Sequence, residues 1–73
     1  MLPNKHIPTN RSLVGIGALI LGRLEAPSTV SGLWERVRTN PEVGSFRNFV
    51  LALNYLYAIG AVDFERGFLR RTQ

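Results

Sequence analysis

Arginine and asparagine side chains in the second half of the sequence have the chemistry needed to bind nucleic acid. An Arg guanidinium can bind guanine through two hydrogen bonds, and an Asn amide can bind adenine in the same way. Arginines near a chain end can also bind phosphate oxygens. The candidate nucleic-acid contacts, which lie outside the apolar stripe of the last predicted helix or in the tail, are Arg47, Asn48, Asn54, Arg66, Arg70 and Arg71.

The same helical surface also has the composition of a protein interface. Leu51 and Tyr55 lie on it, and Arg47 is its one cation. Phosphate contacts supply much of the affinity for DNA, so a thinly charged helix is poorly suited to that role. Arg, Tyr and apolar side chains together are typical of protein interfaces. The sequence therefore predicts a protein interface that contains Arg47, Leu51 and Tyr55, with a merely solvated face as the alternative.

Two other features have alternative interpretations. The tail arginines could bind phosphate or an acidic partner, or they could be solvated charge at a chain end. Trp34 falls on an apolar helical stripe, which predicts ordinary core packing and leaves a partial interface anchor as the alternative.

No spacing in the sequence is typical of a catalytic or metal site. The chain has one histidine, His6, no cysteine and five scattered carboxylates. The pair Gly15 and Gly17 lacks the third glycine and the preceding strand of a phosphate-binding loop. Nothing suggests a nucleophile beside a base, so we expect no enzyme activity, no metal and no cofactor.

The length and composition predict one small domain that depends on a partner. With 73 residues and no cysteine, the chain has room for one core and no disulfide to strengthen it. We therefore expect a partner protein, and a homodimer is compatible with this. The apolar run 13–22 is too short for a bilayer, which needs about 20 residues. No secretory signal is visible, so we expect a cytoplasmic protein without a membrane partner. The net charge of +4 permits nucleic-acid binding without requiring it.

Local signals divide the chain into an arm and a mainly helical domain. Pro3 and Pro8 predict an extended arm over residues 1–11, and the domain covers residues 12–73. Apolar periodicity predicts helices over residues 12–25, from 30 to about 39, and over 46–59. The alternation in 62–65 and the glycine before 68–71 predict a β-hairpin. This order is typical of a winged helix-turn-helix domain, and a simple three-helix bundle is the alternative.

Each predicted helix has an apolar stripe that should face the core. In the first helix the stripe is widened by Val14 and Leu21. The predicted inner residues are Leu13, Ile16, Ile20 and Leu24; then Val30, Leu33, Trp34 and Val37; and finally Phe46, Phe49, Val50, Leu53, Leu56 and Tyr57. Gly60 is expected to end the third helix.

Three stretches of the sequence resemble a known family. LPNKHIPTNRSLVGIGALIL, GLWERVR and FVLALNYLYAIGAVD are similar to the small middle-component proteins of bacterial ABC-three-component systems, in the group called middle component 6. The resemblance covers nearly the whole chain, and the arm LPNKHI is its most distinctive part.

This resemblance implies a subunit encoded beside an SMC-like ABC ATPase and a separate effector, in a system that defends bacteria against phage or plasmids. The subunit would couple the ATPase to the effector and would supply no catalytic residue. Leu2, Pro3, Lys5 and Ile7 would then form a docking segment or a packed strand. The resemblance leaves open whether the complex contacts DNA. The alternative function is that of a winged-helix DNA-binding transcriptional regulator.

Overall fold

The computed structural model describes the backbone of residues 10–72 and the side chains of residues 13–72. Three helices are followed by two strands: α1 (Asn10–Arg23), α2 (Val30–Val37), α3 (Phe46–Ala58), β1 (Val62–Glu65) and β2 (Phe68–Arg71). The mainly helical class and the C-terminal hairpin are therefore confirmed. The predicted arm lies outside the described residues, except for its last two positions.

Helix α1 is shifted by two residues from its predicted position. Asn10 and Arg11, which were assigned to the arm, are helical, and the helix ends at Arg23 instead of residue 25. At that end the Leu24 N–H donates to the Leu21 carbonyl at 3.2 Å, which tightens the last turn. Pro27 then disfavours helical backbone at the residue before it.

Helices α2 and α3 each begin after an N-cap residue whose side chain accepts a backbone hydrogen bond. Thr29 Oγ1 accepts the Gly32 N–H at 3.0 Å, and Ser45 Oγ accepts the Asn48 N–H at 3.2 Å. Each bond satisfies one of the backbone donors that a helix leaves free at its start.

Gly60 ends α3, as the sequence predicted. Its φ of +78° is in the left-handed region. The Gly60 N–H donates to Tyr57 O at 3.1 Å and the Ala61 N–H donates to Leu56 O at 2.8 Å. These two bonds form a Schellman motif, which turns the chain away from the helix and into β1.

The hairpin is antiparallel, with Val62 opposite Arg71 and Phe64 opposite Leu69. Its turn residues Arg66 and Gly67 have φ values of 54° and 85°, as a type I′ turn requires. On its other side, β2 pairs with Ser28 in an isolated antiparallel bridge. The hairpin is thus attached to the segment between α1 and α2.

The core contains apolar residues from every element and from the turn before α3. The buried residues are Ile16, Ile20, Leu24, Leu33, Val37, Val43, Phe49, Ala52, Leu53, Leu56, Val62 and Leu69. Gly17 allows α1 to approach α3 closely, because a Cβ there would lie 3.0 Å from Leu56 Cδ2.

Three residues that the sequence predicted to face the core are exposed in the structure. Phe46 and Tyr57 are 51% and 61% exposed, and Val14 is also half-exposed. Ala52, which the predicted stripe omitted, is fully buried instead. Because α1 packs against α3 beside Leu56, no residue in the described part of the chain covers the opposite edge of the α3 stripe.

Candidate protein-binding surface

The predicted interface residues of α3 differ in their surroundings. Arg47 is exposed and Leu51 is half-buried, so both are available to a partner. Tyr55 is half-buried and packs against the core, so its side chain also supports the fold. The docking residues predicted in the arm, Leu2, Lys5 and Ile7, lie outside the described part of the chain, as does His6.

Two of the three predicted base contacts on α3 share an exposed surface. Arg47 and Asn54 are seven residues apart, which places them on one side of the helix two turns from each other. Asn48 is half-buried, and its side chain lies beside the turn before α3. A Cβ added at Gly44 would be 3.1 Å from Asn48 Nδ2.

The tail arginines have three different environments. Arg70 forms ion pairs with two carboxylates: its Nη2 lies 3.5 Å from Asp63 Oδ2, and its Nε lies 3.6 Å from Glu65 Oε1. The Arg71 Nη1 group donates to Leu21 O at 3.5 Å, near the C-terminus of α1, where a cation is favoured. Arg66 lies in the hairpin turn. Arg66 and Arg70 line one shallow pocket and Arg70 and Arg71 line another, so the three residues are neighbours whose charges are partnered differently.

An apolar groove lies between α2, α3 and the hairpin. Val30, Leu53, Asn54, Tyr57, Phe64 and Leu69 line a volume of about 350 Å³. We call this surface the α3–hairpin groove. Tyr57 and Phe64 project from its walls, with 61% and 51% of their surfaces exposed. The apolar periodicity of the sequence placed Tyr57 on the inner side of α3, but it could not show that no described element covers this flank.

Aromatic side chains continue the apolar surface toward the start of α3. Trp34 and Phe46 meet edge to face with ring centroids 5.2 Å apart, and Trp34 lies 5.3 Å from Phe49. Trp34 is half-buried against the core, so it packs as predicted and also retains an accessible surface. Val50, one turn after Phe46, is half-buried as well and links Phe46 to the groove.

Two arginines near the groove lack carboxylate partners among the described side chains, whereas Asp63 and Glu65, which flank the groove residue Phe64, are paired with Arg70. All five Asp and Glu side chains of the sequence belong to residues that the structure describes. Within residues 13–72, the ion pairs join Glu35 to Arg38, and Asp63 and Glu65 to Arg70. Arg47 and Arg66 have no carboxylate within 4.0 Å in this part of the chain. Arg47 precedes the groove on α3, and Arg66 follows Phe64 in the hairpin turn.

In the described residues 10–72, no helix has the length and apolar character needed to cross a membrane. The same part of the chain contains no group of three or more His, Cys, Asp or Glu side chains arranged to hold a metal ion.

A three-helix domain with a hairpin and an apolar groove that is open among the described residues has the features of a small protein-binding subunit, and the family comparison agrees with this class. The chain belongs to the family of the ABC-three component (ABC-3C) system Middle Component 6, whose profile matches residues 2–71. The match covers nearly the whole chain and confirms the resemblance seen in the sequence. No curated protein and no solved structure matches the chain.

Proposed function

We propose that the protein is a non-catalytic adaptor subunit that couples an SMC-like ABC ATPase to an effector in a bacterial complex that acts against phage or plasmids. The observation that carries this proposal is the α3–hairpin groove, an exposed apolar surface in a member of a middle-component family. A surface patch of this kind is typical of a binding site for another protein.

The proposal includes a winged helix-turn-helix architecture. Its support is the chain order together with the bridge between Ser28 and Leu69. A short strand between the first two helices, which adds to the second strand of a hairpin that follows the third helix, is the arrangement expected of that fold. In it, α2 and α3 form the helix-turn-helix and the hairpin forms the wing.

A DNA-binding regulator is the second candidate, because Arg47 and Asn54 are both exposed on one side of α3. Two observations favour the adaptor over it. Arg70 is paired with two carboxylates and Arg71 donates to α1, so the wing offers only Arg66 without a partner among the described residues. In addition, Tyr57 and Phe64 make the surface between helix and wing apolar, whereas phosphate contacts need cations.

A pull-down of the tagged protein from its native host, with and without nuclease treatment, tests the proposal. We expect an ATPase and an effector to be recovered in both samples. Recovery of DNA alone, or of partners that disappear after nuclease treatment, would replace the adaptor with the regulator.

Leu51→Asp tests the predicted interface of α3 that contains Arg47, Leu51 and Tyr55. Leu51 is only half-buried and does not line the groove, so the variant changes this interface and leaves the groove residues in place. We expect this variant to lose the ATPase while it stays folded, and the control Thr39→Asp, at an exposed position after α2, to retain it. Tyr55→Asp is a weaker test, because Tyr55 packs against the core and its loss lowers stability as well. The docking role of Leu2, Lys5 and Ile7 stays a prediction, and Ile7→Asp tests it in the same assay.

A further inference from the structure

We infer that the α3–hairpin groove binds an acidic amphipathic helix of about three turns that belongs to another component of the complex. This inference rests on the proposed function, since it assigns the surface and the chemistry of the partner that the adaptor would hold. Four observations carry it: the length of the apolar strip, the occupied backbone donor at the edge of β1, the unpaired arginines near the groove and the composition of the chain's own helices.

The apolar strip has the dimensions of a helix-binding groove. Phe46, Val50, Leu53 and Tyr57 recur at intervals of four, three and four residues along one side of α3. They extend over about 16 Å, at a rise of 1.5 Å per residue. Val30 lines the groove from α2, Trp34 lies one turn after it and packs against Phe46, and Phe64 lines the groove from the hairpin. A partner helix of about eleven residues would cover this strip with its apolar side.

One backbone donor at the edge of β1 is already occupied by a side chain. The Thr72 N–H donates to Ala61 O at 3.2 Å, so Ala61 and Thr72 form a hydrogen-bonded pair of the hairpin. Because such pairs alternate along antiparallel strands, Phe64 and Leu69 form a non-hydrogen-bonded pair, and the Phe64 N–H points away from β2. Asp63 Oδ1 accepts that N–H at 2.8 Å. Strand addition requires free backbone donors along the edge, so this bond favours a helix in the groove over an extended peptide.

The unpaired arginines near the groove favour acidic residues in a partner. Arg47 and Arg66 lack a carboxylate partner within residues 13–72, although every Asp and Glu side chain of the sequence is described there. Cations beside an apolar surface favour a partner with complementary charge and disfavour a basic one. The partner helix is therefore expected to carry Asp or Glu beside its apolar face.

The chain itself supplies no segment of this kind. Helices α1 and α3 contain no acidic residue, and α2 contains only Glu35 beside Arg36, so a second copy offers no acidic helix. Residues 1–9, which precede α1, include Lys5 and no Asp or Glu. If DNA bound here, its phosphates would contact Tyr57 and Phe64. Phosphates are bound by cations, so these apolar side chains would add little affinity. A helix from a different protein is the occupant that fits.

Co-expression with the ATPase and the effector encoded beside this chain tests the inference. The double variant Tyr57→Ala with Phe64→Ala removes the two exposed aromatic side chains that line the groove. The double variant Val14→Ala with Ile59→Ala is the matched control, because these side chains are 51% and 59% exposed and do not line the groove. We expect the groove variant to weaken binding to one component at least tenfold, and the control to change it less than threefold. Circular dichroism checks that both variants fold.

A pair of charge variants tests the acidic character of the partner at constant net charge. Arg47→Glu with Arg66→Glu should weaken binding at least tenfold, whereas Arg23→Glu with Arg38→Glu should not. A benzophenone side chain introduced at Tyr57 should cross-link to a helical segment of the ATPase or the effector that is rich in Leu, Ile, Asp and Glu. Mass spectrometry identifies the cross-linked peptide.

The outcomes separate the inference from the proposed function. If the complex forms and the groove variants bind as tightly as the wild type, the inference is wrong and the adaptor function stands. Cross-links from position 57 to DNA, to a second copy, to residues 2–9 or to a basic segment also overturn it. If the wild-type protein binds neither component, both the inference and the proposed function fail.

Discussion

Ser28 and Leu69 exchange two backbone hydrogen bonds across 41 residues of sequence: Ser28 N–H donates to Leu69 O at 3.0 Å, and Leu69 N–H donates to Ser28 O at 2.7 Å. Both residues are buried. The Ser28 side chain adds two bonds, since its Oγ accepts from Arg36 Nη1 at 2.8 Å and donates to Ala26 O at 3.1 Å. Ser28 thus attaches the hairpin to α2 and to the loop after α1, and so determines where the wall of the groove formed by the hairpin lies.

Replacing Ser28 with proline should detach the hairpin. Ser28→Pro removes the N–H and leaves the buried Leu69 carbonyl without its donor, which costs about 1–3 kcal/mol. We expect faster hydrogen exchange at residues 62–71 than in α3, measured by mass spectrometry. Ser28→Ala is the control, because it removes the side-chain bonds and keeps the N–H. Equal exchange in the two variants would show that the bridge does not hold the hairpin.

Two phenylalanines that the sequence assigned to one apolar stripe should differ widely in their effect on stability. Phe49→Ala removes a fully buried ring and should lower the free energy of unfolding by about 3–5 kcal/mol. Phe46→Ala removes a half-exposed ring whose edge-to-face contact with Trp34 contributes about 0.5–1.5 kcal/mol. Urea unfolding followed by Trp34 fluorescence measures both. Similar losses would contradict the exposed position of Phe46.

Two glycines of α1 should respond oppositely to a side chain. A Cβ at Gly15 meets no atom within 4 Å, so Gly15→Ala should stabilise the protein by about 0.5–1 kcal/mol through helix propensity. Gly17→Val would overlap Leu56 and should destabilise it by about 1–3 kcal/mol. Thermal unfolding measures both, and Gly15→Val controls for the lower helix propensity of valine. If both valine variants behaved alike, α1 and α3 would not be in close contact at Gly17.

Asp63 should keep the edge of β1 from pairing with other chains. Asp63→Ala frees the Phe64 N–H and should increase self-association as the protein concentration rises, as analytical ultracentrifugation would show. Glu65→Ala is the matched control, because it also removes one negative charge and one contact with Arg70 but has no bond to that N–H. Association of both variants to the same extent would assign the effect to net charge instead of the strand edge.

Features that depend on neighbouring residues were predictable from the sequence. Ser45 and Gly60 bracket α3, and Arg66 and Gly67 form the hairpin turn, because caps and turns depend on the side chains and φ preferences of a few consecutive residues. The end of α1 was misplaced by two residues, since helix propensity alone does not show where packing stops. Val43 was missed because its burial comes from a turn, where no periodicity exists to reveal it.

The sequence by itself determined the order of the elements, their apolar sides and the membership of the family, since these depend on periodicity and on residue types along the chain. Only the tertiary structure decided which part of each apolar side is covered. Periodicity places Phe46, Leu56 and Tyr57 on one broad side of α3, but the contact between Gly17 and Leu56 buries just one edge of it. Tyr57 and Phe64, which belong to different elements, line one groove because Gly60 turns the chain from α3 into β1 and the bridge from Ser28 to Leu69 fixes the hairpin to the segment between α1 and α2.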